Sequence, residues 1–368
     1  MTASRHGLLV SALLDPPTTL ALSLRQWNDL LVAAGEHALL ARLADELVSR
    51  GLFAQVPGKA RSHMHAARIA AESTHTAIRF EVNRVLRALA EVDTPIILLK
   101  GTAYVMAQLP AARGRFIGDL DFMVPREKIE EVERTLIRSG WAVADLDDYD
   151  QRYYREWGHE IPPLQHAERE TPLDIHHTIV PLTGRFHPDA AALLAASQPL
   201  ADPRLRVLAP ADMVLHSTVH LFNDDVGKPL RDLLDLNDLL GHFGANPGFW
   251  DQLIARARLH GLGRPLYYML RQAQRMLGTP IPPEIDQAAS AWAPGPALNS
   301  LMDRLFTYRF VSAPAREAPS GIRLANWLLY MRSHWLRMPM PLLARHLSIK
   351  AARRLRDRFE RKPKEVEA

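Results

Sequence analysis

The chain has 368 residues, of which 47% are hydrophobic and 23% are charged, as in ordinary globular proteins. This composition excludes wholesale disorder and predicts two or three domains or subdomains. The net charge of +4 is concentrated at one end, because residues 345–368 hold nine Lys or Arg and four Asp or Glu. The rest of the chain is close to neutral, so nucleic acid is not an expected partner.

Cysteine chemistry is excluded, because the sequence contains no cysteine. Disulfides, iron–sulfur clusters, cysteine-ligated zinc and thiol nucleophiles therefore play no part. No apolar run reaches the roughly 18 residues of a membrane span, and no secretory signal is recognisable. We therefore expect a cytoplasmic protein with no integral membrane association.

The first quarter of the chain predicts helices. Apolar residues recur at helical spacing from Trp27 to Leu47, and Gly51 is placed to end that helix. A second helix is expected over about 62–92. Residues 1–92 are therefore interpreted as an N-terminal helical region.

Short strands and helices alternate over residues 93–200, the predicted core. The predicted strands are 96–99, 117–124, 141–143 and 173–180. Between them, the pattern predicts a helix over 100–109 and another that opens at Pro125 and ends at Gly140. Residues 145–150 are expected to form an acidic loop.

Helices are expected again after Pro199. Helix starts are predicted near Pro210 and Pro229, and apolar periodicity continues beyond residue 250. We therefore expect a C-terminal helical region over 201–345 and a basic tail over 346–368. The fold class is α+β, a small mixed sheet flanked by N- and C-terminal helical regions.

The segment Gly118-Asp119-Leu120-Asp121 is the most informative motif. On a strand, Asp119 and Asp121 project from the same face, and their mutual repulsion is relieved by a hard divalent cation such as Mg²⁺. A third carboxylate, Asp174, alternates with apolar residues on the last predicted core strand. If the two strands are neighbours, three aspartates converge, enough for two metal ions.

A candidate phosphate site lies upstream, where a strand turns into a helix at Lys100-Gly101-Thr102. Glycine permits close approach of the backbone to a ligand, and the helix N-terminus attracts anions. Arg113 and Arg115 are nearby candidates for phosphate charge. Alone, each motif is weak, since a DxD pair also occurs at exposed strand ends and in glycosyltransferases. Their conjunction is more specific.

These motifs resemble the bacterial uncharacterised nucleotidyltransferase family of the DNA-polymerase-beta-like superfamily. The resemblance covers about residues 20–270. The matching segments are LKGTA (99–103), RFIGDLD (115–121), HEIPPL (159–164), LDIH (173–176), APADMVLH (209–216) and LRDLLD (230–235). The turn here is Gly-Thr preceded by Lys100, where the superfamily usually has Gly-Gly or Gly-Ser.

The resemblance implies Mg²⁺-dependent transfer of a nucleoside monophosphate from a nucleoside triphosphate, with ATP the expected donor, to a hydroxyl. The acceptor, a small molecule, peptide or protein, stays open. Asp119, Asp121 and Asp174 are the implied catalytic residues and metal ligands, with Asp174 also activating the acceptor. The implied nucleotide-binding residues are Lys100, Gly101, Thr102, Arg115 and Gly118.

Several polar residues have both a functional and a structural interpretation. His159, His176 and Arg231 are possible substrate contacts, but His176 also suits a hydrogen-bonded strand position and Arg231 an ion-pair network with Asp232 and Asp235. His216 and His220 have the i, i+4 spacing of a metal-binding helix, yet no HExxH glutamate is present, so packing is preferred.

Two rival functions remain open at this point. A DxD glycosyltransferase would need a larger parallel sheet upstream of the motif, where the pattern is helical. A non-catalytic protein could bind a nucleotide or a partner through the same fold.

Overall fold

Helices form the N-terminal part of the computed structural model, which describes residues 5–169, 171–223, 227–311, 320–345 and 347–348. They are α1 (Arg5–Leu14), α2 (Leu24–Glu36), α3 (Leu40–Ser49) and α4 (Gly58–Ala88). Ser23 caps α2 through reciprocal hydrogen bonds with Gln26. Helix α4 begins and ends earlier than the predicted 62–92.

A mixed seven-stranded sheet follows in the described part of the chain. Its strands are β1 (Ile96–Leu98), β2 (Leu120–Met123), β3 (Trp141–Val143), β4 (Leu164–His166), β5 (Pro172–His176), β6 (Gln198–Pro199) and β7 (Leu205–Val207). The order across the sheet is β3-β4-β5-β2-β1-β7-β6. The β2–β5 and β1–β7 pairs are parallel, and the others are antiparallel.

The central strands are held in the core by the apolar residues from which those strands were predicted. Ile97, Leu120, Phe122 and Ile175 have no exposed surface. Burial of such side chains stabilises the fold by roughly 1.5–3 kcal/mol each. Strand β2 is shorter than the predicted 117–124 and β5 shorter than 173–180, while β4, β6 and β7 were not predicted at all.

The helices within the core are α5 (Lys100–Met106), α6 (Ile129–Arg138), α7 (Asp148–Trp157) and α8 (Ala190–Ala196). The predicted acidic loop at 145–150 is wrong in its second half, because Asp147 caps α7 by accepting a hydrogen bond from the amide of Asp150. Acidic residues there form a cap and first turn. Pro125 precedes a short 3-10 turn, Arg126–Lys128, rather than opening α6 directly.

The C-terminal part is helical, as predicted. It comprises α9 (Pro210–Asn223), α10 (Pro229–Phe243), α11 (Phe249–Leu259), α12 (Gly263–Leu277), α13 (Pro283–Ser290), α14 (Pro296–Phe310) and α15 (Ser320–Arg337). Arg42 on α3 forms a bidentate ion pair with Asp238 on α10, at 2.5 and 2.9 Å, which ties the N-terminal helices to the C-terminal ones. The predicted tail falls almost entirely outside the described residues.

The end of α15 docks beside the sheet. The Thr183 hydroxyl donates to the Arg337 carbonyl at 2.9 Å, and the Arg185 amide donates to the Leu336 carbonyl at 2.8 Å. The Arg185 guanidinium also lies 3.8 Å from the ring centroid of Trp335. These contacts bring α15 close to the segment that follows β5.

The sheet extends past the predicted core boundary at residue 200, because β7 pairs with the central strand β1. Division of the chain into four stretches at 92, 200 and 345 stays a prediction. Within the described ranges, none of the helices combines the length and apolar character needed to cross a membrane.

Candidate active site

The three predicted aspartates converge at the centre of the sheet. Strands β2 and β5 are parallel neighbours whose register aligns Asp121 with Asp174, and Asp119 directly precedes β2. Each of the three offers a carboxylate oxygen, and these oxygens lie within 4.8 Å of one another. Asp121 is buried, Asp174 is half-buried and Asp119 is exposed. The cluster therefore opens to solvent at one end.

Negative charge is crowded at this cluster, which we call the Asp triad (Asp119, Asp121 and Asp174). Burial, followed by the charges of Asp121 and Asp119, raises the pKa of Asp174 to about 7. Burial and the charge of Asp121 also raise the pKa of Asp119. Three oxygen donors whose charges repel one another suit a hard divalent cation, so the residues present fit a magnesium ion.

Asp121 differs from its two neighbours because two other groups bind it. The Lys100 ammonium donates to Oδ1 at 2.8 Å, and His176 Nε2 lies 3.0 Å from the same oxygen. Although burial opposes ionisation, Lys100 and His176 together lower the pKa of Asp121. The carboxylate of Asp121 is therefore anchored in place while those of Asp119 and Asp174 are more accessible.

The glycine turn is packed more tightly than a direct phosphate contact requires. A Cβ at Gly101 would lie 2.6 Å from Ile117 Cδ1, so Ile117 covers that side of the turn. Thr102 is 1% exposed, and its hydroxyl donates to the Asp119 carbonyl at 3.3 Å. The structure therefore places Gly101 and Thr102 beneath the loop that carries Asp119, whereas Lys100 and Gly118 remain accessible.

Arg115 and Arg231 share an ion-pair network with Asp232 and Asp235 of α10. The network expected from the sequence contained Arg231, Asp232 and Asp235. Arg231 Nη2 lies 2.7 Å from Asp232 Oδ1, and Arg115 pairs with both Asp232 and Asp235. Arg115 was predicted to bind phosphate, but here two carboxylates neutralise its charge and hold it. We did not anticipate that Arg115 would belong to this network.

His159 and His176 meet Glu160 beside the Asp triad. An isolated bridge pairs Glu160 with His176, and the His177 amide donates to the His159 carbonyl at 2.9 Å. His176 Nε2 lies 3.3 Å from Glu160 Oε2, so Glu160 and Asp121 flank the same ring nitrogen. These three side chains form the second group, within the described residues, that could hold a metal ion. Glu160 belongs to the HEIPPL segment that carries the resemblance, but the sequence did not indicate that Glu160 would contact His176.

A cleft of about 560 Å³ adjoins the Asp triad. Its walls come from α7, the 158–160 segment, Asp174 and the end of α15. Tyr153 and Tyr154 of α7 line it, and burial together with the charges of Glu160 and Asp174 raises the pKa of Tyr154 to about 12. A cleft of this size suits a small molecule or a single protruding side chain.

Residues at and just after the end of α15 complete the cleft, which no sequence motif indicated. His334, Arg337 and Met338 line it, and Arg337 Nε donates to the Asn223 carbonyl at 3.2 Å. These residues follow Asp174 in the chain by more than 150 positions, so only the tertiary fold relates them to the site.

His216 and His220 on α9 lie near the site. His216 is buried, and burial, followed by the positive charge of Lys100, lowers its pKa well below the usual value. Neither histidine belongs to a metal-capable group among the described residues.

Adjacent strands that present three carboxylates beside a cleft form an arrangement that could hold a divalent metal ion for group transfer. A family model described as uncharacterised nucleotidyltransferase matches residues 23–278, so the chain belongs to that family and is a nucleotidyltransferase. This confirms the resemblance and the α+β fold class, and it removes the glycosyltransferase rival. A nucleoside triphosphate is accordingly its substrate.

Two solved structures are also similar to this chain. The crystal structure of ANT(2'')-Ia in complex with adenylyl-2''-tobramycin is 16% identical, covers 50% of this chain and 98% of its own, and has a TM-score of 0.34. The solution structure of the antibiotic-resistance factor ANT(2'')-Ia is 15% identical, with coverages of 55% and 98% and a TM-score of 0.34. No curated protein matches the chain.

Proposed function

We propose that this enzyme transfers a nucleoside monophosphate from a nucleoside triphosphate to a hydroxyl acceptor, using Mg²⁺ held by the Asp triad. The parallel register that sets Asp174 beside Asp121, with Asp119 two residues before Asp121, carries this proposal. Bound Mg²⁺, as one or two ions, would neutralise charge on the donor phosphates. ATP is our proposed donor.

Asp121 and Asp119 have separate tasks in this scheme. Asp121, held by Lys100 and His176, provides a rigid oxygen donor at the base of the site. Asp119 is exposed beside it and faces the incoming phosphates. Lys100 and Gly118 contact the donor, while Gly101, Thr102 and Arg115 support the loop that presents Asp119.

Asp174 serves the acceptor side, because it lines the cleft as well as belonging to the triad. The acceptor hydroxyl gives its proton to Asp174 as its oxygen bonds to the α-phosphorus. The bond from the α-phosphorus to the bridging oxygen breaks, and pyrophosphate leaves with that electron pair. His159, with Tyr153 and Tyr154, positions an acceptor small enough to enter the cleft, whereas His176 and Arg231 act through the carboxylates they contact.

Incubation with α-³²P-labelled nucleoside triphosphates and a cell lysate tests this function. The wild type should transfer label and release pyrophosphate. In Asp119→Ala/Asp121→Ala the rates of both should fall at least about 100-fold, because the proposed metal ligands are gone. Glu284→Ala/Asp286→Ala is the matched control, since it removes two carboxylates at the same spacing from α13. Equal transfer by the Asp119→Ala/Asp121→Ala variant would reject the site.

A further inference from the structure

Lys100 occupies a costly position beside the Asp triad. Its φ of +44° lies in the left-handed region, which costs a non-glycine residue about 1–2 kcal/mol. Such a conformation persists where the surroundings over-determine it, and it is frequent at functional sites. Here it turns the side chain toward Asp121 Oδ1, 2.8 Å away, while 19% of that side chain stays exposed to the cleft.

Lys100 lies where its ammonium would face a metal ion bound to Asp121. The ammonium is 2.8 Å from Asp121 Oδ1. A divalent cation bound by the same carboxylate would therefore lie within a few ångströms of the lysine ammonium. Like charges at that distance repel strongly even at an effective dielectric constant of about 20.

Lysine can leave Asp121 without rearranging the backbone. Its four-carbon stem is flexible, and its ammonium is a compact charge that pairs readily with phosphate. Lys100 also lines the cleft beside the Asp triad, so phosphate oxygens of a donor bound at the triad can replace the Asp121 carboxylate as its partner. His176 also contacts Asp121, so this carboxylate would keep a second partner when Lys100 leaves.

We infer that Lys100 is an internal counter-ion that exchanges Asp121 for a phosphate of the donor, so that divalent metal binds weakly alone and tightly together with nucleotide. The inference rests on the proposed function, because it takes the Asp triad as the metal site. It adds an order of binding: the metal is held firmly only when the nucleotide donor is bound and its phosphate pairs with Lys100.

Metal titration of protein stripped with EDTA tests the exchange. Electron paramagnetic resonance measures the concentration of free Mn²⁺ in the absence of nucleotide. We expect Mn²⁺ to bind Lys100→Met at least about tenfold more tightly than it binds the wild type, because a competing cation is removed. Calorimetry with ATP, GTP, CTP and UTP in Mg²⁺ should show weaker nucleotide binding by the same variant. A misfolded variant would lose both affinities, so the opposite signs are diagnostic.

Two further variants complete the test. Lys100→Gly also removes the charge and accepts a positive φ, so it should show the same tighter Mn²⁺ binding if Lys100→Met folds poorly. Lys128→Met, which removes a lysine paired with Glu131 on the surface, should bind Mn²⁺ like the wild type. Equal Mn²⁺ affinity in the wild type and both Lys100 variants overturns this inference alone. Absence of Mn²⁺ binding by every protein overturns the proposed metal site as well.

Discussion

Asp119 and Asp121 should differ sharply in their contribution to folding, although the proposed function requires both for activity. Asp121 is 2% exposed and holds Lys100 at 2.8 Å and His176 at 3.0 Å. Removal of one partner from a buried charge pair costs about 3–5 kcal/mol. Relief of the repulsion from Asp174 and Asp119 offsets part of this loss. We therefore expect Asp121→Asn to lower the free energy of unfolding by about 2–4 kcal/mol.

Asp119→Asn should leave stability within about 0.5 kcal/mol of the wild type, because Asp119 is exposed and the charges that act on it oppose one another: Asp121 repels it, whereas Lys100 and Arg115 attract it. Urea unfolding followed by tryptophan fluorescence, in buffer with EDTA, measures both variants. Pyrophosphate release in Mg²⁺ should fall by about 100-fold or more in each. If Asp121→Asn unfolds at the urea concentration of the wild type, the role assigned to the Lys100 contact is wrong.

Three other predictions follow from particular contacts. The pKa of Asp174 is raised to about 7 in the folded protein against 3.8 in a free chain, so the destabilisation from its ionisation is absent below pH 4, grows between pH 4 and pH 7, and is complete above pH 7. Asp174→Asn should therefore be more stable than the wild type by about 1–3 kcal/mol at pH 8 in EDTA and equal to it near pH 4, and a constant difference in urea unfolding would contradict this. Arg337→Met should reduce label transfer in lysate while nucleotide binding by calorimetry is unchanged, and Arg134→Met on the surface of α6 should affect neither. Gly114→Ala should lower the melting temperature, costing about 2 kcal/mol or more, because φ is +61° and a Cβ would lie 2.4 Å from the Arg42 amide nitrogen. Gly35→Ala in α2, which meets nothing within 4 Å, should be neutral or stabilising by comparison.

The Asp triad was accessible from the sequence because strand alternation is a local rule. In LDF and LDIH the apolar residues determine which face is buried, and the aspartates must then lie on the other. Only the adjacency of the two strands had to be assumed. The structure confirms it through the parallel β2–β5 register, which aligns Asp121 with Asp174.

The surroundings of the triad could not be predicted in the same way, because they depend on contacts between distant segments. Lys100 was expected to meet phosphate, yet its partner here is Asp121, which the chain brings back after the 107–119 loop. The bridge between Glu160 and His176 and the docking of α15 are likewise tertiary. Local pattern carries no information on which carboxylate will neutralise which cation.

The glycine turn has a packing role that the local pattern did not reveal. Gly101 follows a strand and lies in the first turn of helix α5, a position that favours a phosphate site. The helix α5 is only seven residues long, however, and Ile117 packs on the turn. Glycine is needed there because a larger side chain would collide with Ile117, which is a packing requirement that sequence spacing does not reveal.

Cleavage by bound iron tests most directly whether the three aspartates form one divalent-metal site. Fe²⁺ substituted into the protein, with ascorbate and peroxide, cuts the backbone near the metal, and mass spectrometry locates the cuts. We predict cuts around residues 119–121 and around 174, suppressed by excess Mg²⁺ and absent from Asp119→Ala/Asp121→Ala. Cuts confined to other segments, or cuts that persist in that variant, would contradict the account.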